Sequence, residues 1–112
     1  MTGVLVDLGD PDGRSAWTVS ADDGRTFAVF VLGDPGQHAD RGSLRVCDAA
    51  CPHLAGPLVE GRLTGAEVRC PWHGHRFDLD TGACRSSQLF ALAVYPVLDV
   101  DGRLHADVGS GP

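Results

Sequence analysis

The stretch that decides the fold runs from Val46 to Asp78. It begins Val46-Cys47-Asp48-Ala49-Ala50-Cys51-Pro52-His53-Leu54-Ala55-Gly56-Pro57-Leu58 and ends Arg69-Cys70-Pro71-Trp72-His73-Gly74-His75-Arg76-Phe77-Asp78. Each half carries a cysteine followed by a histidine, with proline directly after the cysteine and glycine close to the histidine. The spacing is C-x-H-x16-C-x2-H. Two thiolates and two imidazoles can converge on one site if the chain between them folds back. The intervening Gly61 to Cys70, GRLTGAEVRC, reads as a short hairpin turning at Thr64-Gly65, which brings the flanking segments together.

The rest of the chain reads as nearly all β. No window of 11 residues places apolar side chains at i, i+3, i+4 and i+7 without an interrupting Gly or Pro. Strands are expected over Val4 to Leu8, Ala16 to Ser20 and Thr26 to Leu32, set off by Asp10-Pro11-Asp12-Gly13 and Asp22-Asp23-Gly24, and again over Ser43 to Asp48. Gly33 to Gly42 is expected to be the most mobile internal loop. The segment AVYPVLDVDGRLHADV reads as a hairpin turning at Asp101-Gly102, with Pro96 at an edge or a bulge. Gly109 to Pro112 is expected to be a disordered tail, and residues 1–112 a single domain.

Composition narrows the function classes. The 112 residues include 15 glycines and 7 prolines, a turn-rich balance, while 43% apolar content argues against disorder. The net charge is −6, and the nine cations, all arginine, are spread along the sequence without a run. This argues against a nucleic acid partner. No apolar run approaches the roughly 20 residues that span a bilayer, and Met1 to Gly13 lacks the charged start and apolar stretch of a signal peptide, so a cytoplasmic protein without a membrane partner is expected. In that reducing compartment, metal binding by the cysteines is favoured over disulfides.

Thiolates suit iron–sulfur clusters and zinc, and imidazole suits zinc and iron, so a Cys2His2 set alone does not choose. Structural zinc fingers pair their cysteines and then their histidines, whereas here each half supplies one of each. All-cysteine ferredoxins need four closely spaced cysteines, and the intervals here are 3, 18 and 13 residues. The alternation fits a mixed-ligand [2Fe–2S] centre with histidine on one iron.

On these residues the sequence resembles the Rieske proteins, and Cys51 to Leu58 with Cys70 to Gly82 is similar to the small Rieske-type ferredoxins of bacterial oxygenase systems. The resemblance extends from about Thr26 to the final hairpin. It implies an all-β fold of small antiparallel sheets in three layers, with two cluster-binding loops at one end. It also implies a [2Fe–2S] cofactor whose irons are held by Cys51 and Cys70 on one side and His53 and His73 on the other, with electrons passing at the histidine side.

Respiratory Rieske proteins resemble C-T-H-L-G-C and C-P-C-H-G-S-x-Y, with a disulfide between the loops and Ser and Tyr hydroxyls donating to the cluster sulfurs. Here Gly56 and Trp72 stand at the disulfide positions, and His75 and Phe77 at the Ser and Tyr positions. Without those donors the reduced state is less stabilised, so a potential at the negative end of the Rieske range, roughly −150 mV, is expected. Relatives often cover the cluster with a proline-containing loop after the second ligand pair. Arg85 to Phe90 has no proline, so either Leu89 and Phe90 cover the site or it is more exposed.

The remaining candidates are read as structural. Cys47 and Cys84 lie outside the motif and behave as small apolar residues. His38 and His105 are read as solvated, His75 as a residue that lies near the site, and Trp72 as a shield. Ser86 and Ser87 lack an elbow motif or a placed base and are read as loop residues.

The resemblance implies an electron carrier, not an enzyme: a low-potential shuttle between a flavin-dependent NAD(P)H reductase and a terminal oxygenase. The acidic charge would favour partners with a basic docking patch. Two alternatives remain, the small Rieske-like subunit of an assimilatory nitrite reductase, to which Thr81-Gly82-Ala83-Cys84 bears some resemblance, and a structural Cys2His2 zinc domain.

Overall fold

The computed structural model describes residues 4–32, 42–52, 56–72, 74–85 and 91–109. In chain order these form β1 Leu5–Asp7, β2 Ala16–Ser20, β3 Thr26–Val31, β4 Leu44–Asp48, a 3-10 turn at Leu58–Glu60, β5 Arg62–Thr64, β6 Glu67–Arg69, β7 Arg76–Asp78, β8 Val94–Tyr95, β9 Val97–Val100 and β10 Arg103–Asp107. The first four strands match their sequence expectation to within one residue at either end. Three antiparallel sheets result, ordered β1-β10-β9, β2-β3-β4-β8 and β5-β6-β7. There is no α-helix among the described residues, and none of their elements is a helix long and apolar enough to cross a membrane.

Strand β3, Thr-Phe-Ala-Val-Phe-Val, explains why the middle sheet is covered on both sides. Every residue after Thr26 is buried, and a strand sends alternate side chains to opposite faces. Phe27, Val29 and Val31 pack with Val6, Trp17, Val46 and Ala106 in one core, under the β1-β10-β9 sheet. Ala28 and Phe30 face a second core that contains Cys47, Leu58, Val68 and Phe77, under the β5-β6-β7 sheet. Burying each large side chain is worth about 1.5–3 kcal/mol, so both outer sheets are held mainly by the middle one.

Two polar contacts tie the first core to its rim. The Trp17 indole N–H donates to the Leu8 carbonyl at 3.0 Å, which satisfies a donor that burial would otherwise strand. Tyr95 meets Phe27 edge to face at 5.2 Å, and its hydroxyl donates to Asp48 Oδ1 at 2.6 Å. Burial, then this bond to a carboxylate, raises the Tyr95 pKa.

The structure corrects two expectations. In the first hairpin Thr64 pairs with Glu67, so the turn residues are Gly65-Ala66 rather than Thr64-Gly65. The physical reason is Gly65: at φ +59° it supplies the left-handed first position that a tight hairpin turn requires. In the C-terminal segment Val100 pairs with Arg103 around Asp101-Gly102 as expected, both at positive φ. Pro96, however, marks a change of sheet, because Tyr95 pairs with Val46 of β4 while Val97 pairs with Ala106 of β10. Lacking an N–H, proline cannot serve either ladder as a donor and fits this junction.

Gly109 is tied at both ends, its N–H donating to Asp107 and its carbonyl accepting from Arg25 at 2.7 Å. His38, nearly all of the Gly33 to Gly42 loop, Ser86, Ser87, Leu89, Phe90 and residues 110–112 lie outside the described residues.

Candidate metal centre

The first cysteine loop leaves β4 at Asp48 and returns at the 3-10 turn. Its arms are laced by Leu58 N–H to the Ala49 carbonyl at 3.1 Å and Cys51 N–H to the Gly56 carbonyl at 2.9 Å, with a bridge between Ala50 and Pro57. Leu58, fully buried in the second core, anchors the returning arm. The described arms, Ala49 to Cys51 and Gly56 to Leu58, thus run antiparallel like the stem of a hairpin.

The second loop is tighter. Cys70 directly follows β6, its N–H donates to the His75 carbonyl at 2.8 Å, and its own carbonyl accepts from Gly74 N–H at 3.0 Å. Gly74, at φ +74°, lets the chain reverse before β7. Proline after each cysteine suits both loops, since neither Pro52 nor Pro71 has to donate to a ladder.

The loops meet at Gly56. A methyl group there would lie 2.9 Å from the Cys70 sulfur and 3.2 Å from two atoms of the Trp72 indole. Cys51 and Cys70 are 3% and 2% exposed and line the same core, with Leu58, Val68, Phe77 and Leu79 around them. None of the four cysteines forms a disulfide. Two buried thiols delivered by two opposed loops, with only glycine tolerated between them, fit a thiolate-ligated metal centre. Among the described residues no third histidine, cysteine or carboxylate completes a metal-binding group. His53 and His73 lie outside the described residues.

The other sequence candidates separate clearly. Cys47 is wholly buried on β4, and burial, with Asp48 adding to it, pushes its thiol up to about 12. Cys84 is half-buried, with its sulfur 4.0 Å from Nδ1 of His75. Trp72 covers Gly56 with its ring and is still 58% exposed, so part of the indole packs on the first loop while the rest faces outward. His105 is half-buried and its Nδ1 meets the Arg103 carbonyl at 3.1 Å.

The sequence reading missed a charge pattern beside this centre. Arg62 pairs with Arg69, and Arg69 with Arg76, so three arginines form one row across β5, β6 and β7. Leu63, Val68 and Phe77 point into the core, which puts the arginines on the outer face, and all three are exposed. Like charges directly opposite one another cost stability, roughly 0.2–1 kcal/mol per pair. In the second row of that face Arg85 contacts both Glu67 and Asp78 at 2.9 Å and so offsets one of their two negative charges. With the turn at Thr64-Gly65, Arg62 would have faced Glu67; the shift to Gly65-Ala66 creates the row.

A family model described as the Rieske [2Fe-2S] domain matches residues 12–96. The ferredoxin component of the p-cumate 2,3-dioxygenase system of Pseudomonas putida is 35% identical over 121 aligned positions, covering 100% of this chain and 99% of that protein. Apoptosis-inducing factor 3 of Mus musculus is 46% identical over 43 residues, 38% of this chain, and this chain spans only 7% of that relative's length. Among solved structures, the Sphingomonas yanoikuyae B1 ferredoxin superposes with a TM-score of 0.71 at 26% identity, covering 95% of this chain and 98% of that one. A candidate small subunit of an NADH-dependent nitrite reductase from Mycobacterium tuberculosis shares the fold, with a TM-score of 0.74 at 23% identity over 95% of this chain and 96% of that one.

Proposed function

The chain belongs to the Rieske [2Fe-2S] domain family, and from that premise we propose that it carries single electrons from a flavin-dependent NAD(P)H reductase to a terminal oxygenase. One observation carries this reading: the chain matches a dioxygenase-system ferredoxin component over the full length of both. In this proposal Cys51 and Cys70 hold one iron of a [2Fe–2S] cluster, and His53 and His73 hold the other. Such a cluster supplies reversible one-electron chemistry, with no atom transferred to or from a substrate.

The chain's own residues set the terms of that chemistry. Cys51 and Cys70 are held by backbone bonds on both arms of their loops, so little geometry has to change between redox states. Leu58, Phe77 and Leu79 exclude water from the buried side. Phe77 is fully buried and offers no hydroxyl, and Trp72 replaces a covalent tie between the loops with packing on Gly56. Both features support a potential near the negative end of the family range, roughly −150 mV. We place the carrier in the cytoplasm, whose reducing conditions keep cysteines available as metal ligands, as a single domain over residues 1–112.

The experiment is an EPR spectrum of anaerobically purified, dithionite-reduced protein. A rhombic signal with an average g value below that of all-cysteine clusters, lost in His53→Ala and in His73→Ala, is the expected result. Colourless, zinc-loaded protein from cells with ample iron would overturn the cluster. Stable co-purification with a large sirohaem subunit would overturn the oxygenase assignment.

A further inference from the structure

The arginine row and Trp72 lie on one side of the candidate centre. A groove of about 610 Å³ runs between them, lined by Arg62, Arg69, Cys70, Trp72 and Gly74, with Glu60 at its rim. The Arg69 guanidinium is packed over Gly74: a methyl group at that glycine would be 3.1 Å from its Nη2. Neither Arg62 nor Arg69 has an ion-pair partner among the described residues, although Arg25, Arg45, Arg85 and Arg103 all do. Arg62 and Arg69 are thus two exposed positive charges without an ion-pair partner among those residues, on a chain whose net charge is −6.

We propose that this face, Arg62, Arg69 and Arg76 with Trp72 beside them, is a docking surface for the acidic, carboxylate-bearing face of a redox partner protein. The proposal rests on the electron-carrier reading, and charge complementarity carries it. Aligned like charges are unfavourable in the free protein and become favourable once carboxylates from outside face them. An exposed tryptophan flanked by arginines has the composition of an interface anchor, and Trp72 is one of two large apolar side chains exposed among the described residues. The surface adjoins Cys70, so a partner seated on it stands next to the proposed metal centre. The charge of the whole chain favours a basic partner, whereas this face selects an acidic one.

The test uses the reduced, cluster-loaded protein and two small oxidants of opposite charge in stopped flow. Ferricyanide, an anion, and tris(phenanthroline)cobalt(III), a cation, each accept one electron from the protein and are reduced by one unit of charge. In the double variant Arg62→Gln, Arg69→Gln, the ferricyanide rate should fall about three- to tenfold at low ionic strength, the cobalt rate should rise, and both differences should vanish in high salt. The redox potential is measured alongside; a lowered potential would raise both rates together, so only rates moving in opposite directions count as a charge effect on encounter. Arg103→Gln changes the net charge on the opposite sheet, where Arg103 is paired with Asp7, and should leave both rates within about twofold. Equal rates in wild type and double variant, in protein with the EPR signal intact, would overturn the docking surface alone. Protein with no EPR signal and no reaction with either oxidant would overturn the carrier reading and the surface with it.

Discussion

Trp72 lies across Gly56, close enough that a methyl group on the glycine would stand 3.2 Å from the indole ring. These are the two positions at which respiratory Rieske proteins, by the resemblance, carry a disulfide between their cluster loops. Here the loops are joined by an aromatic ring on a bare backbone. The contact is noncovalent, and it works only while residue 56 has no side chain.

Gly56→Ala is therefore expected to separate the loops. The new methyl would also lie 2.9 Å from the sulfur of the buried Cys70 side chain. The cost should be about 1–3 kcal/mol, the usual range for overpacking. Iron content per chain after purification should drop together with the midpoint of thermal unfolding. Unchanged iron content and stability would show that the loops do not bear on one another there.

The extent to which the fold was legible follows from which signals are local. Strands β1 to β4 and the Asp101-Gly102 turn announce themselves through alternation and turn residues, and the structure has them within a residue. Strand β7, Arg76–Asp78, was not anticipated because three residues carry no periodicity of their own; Phe77 becomes a strand residue by pairing with Val68. The pairing of cysteine loops was legible because Cys51-Pro52-His53 and Cys70-Pro71-Trp72-His73 are matched in sequence. The arginine row was not, because it depends on hairpin register, and displacing the turn by one residue exchanges an Arg62–Glu67 pair for Arg62–Arg69.

Gly61 and Gly65 sit at opposite ends of β5 and should respond differently to alanine. A methyl on Gly61 would collide with the Arg69 carbonyl and stand 3.0 Å from that of Leu58, so β5 and β6 would have to part where they lead into the cysteine loops. Gly65 has open space around it and only its φ of +59° to protect. Gly65→Ala should cost about 1 kcal/mol, from backbone strain alone, and spare the centre. Gly61→Ala should cost about 1–3 kcal/mol and lower iron content as well. Denaturant melts with parallel iron assays check both, and equal losses of iron in the two variants would contradict this assignment.

Phe77→Tyr tests the origin of the low potential. Phe77 is wholly buried in the core shared by Cys51 and Cys70, at the position where respiratory relatives place a donating tyrosine. A hydroxyl that reaches cluster sulfur should stabilise the reduced state and raise the midpoint in a redox titration. A hydroxyl that finds no partner should instead cost about 1–3 kcal/mol of stability and leave the midpoint where it was. The first outcome is expected, and a lowered midpoint would refute the argument.

Cys47 provides a pH signature independent of the metal centre. Its thiol ionises near 9.0 when exposed, and burial, reinforced by the Asp48 carboxylate, pushes it up to about 12. Between those values the unfolded chain releases the proton and the folded chain retains it. The folded state then binds more protons, so stability declines as pH rises through this window and is unaffected by Cys47 below it. At pH 8 the native thiol should resist Ellman's reagent, and Cys47→Ala should be less stable than wild type through lost packing. By pH 10.5 that gap should narrow by about 1–2 kcal/mol, because only the wild-type chain gains a thiolate on unfolding. Urea melts of the two proteins at both pH values provide the measurement. A gap that stays constant or widens with pH would mean that the Cys47 thiol is not kept neutral by the core.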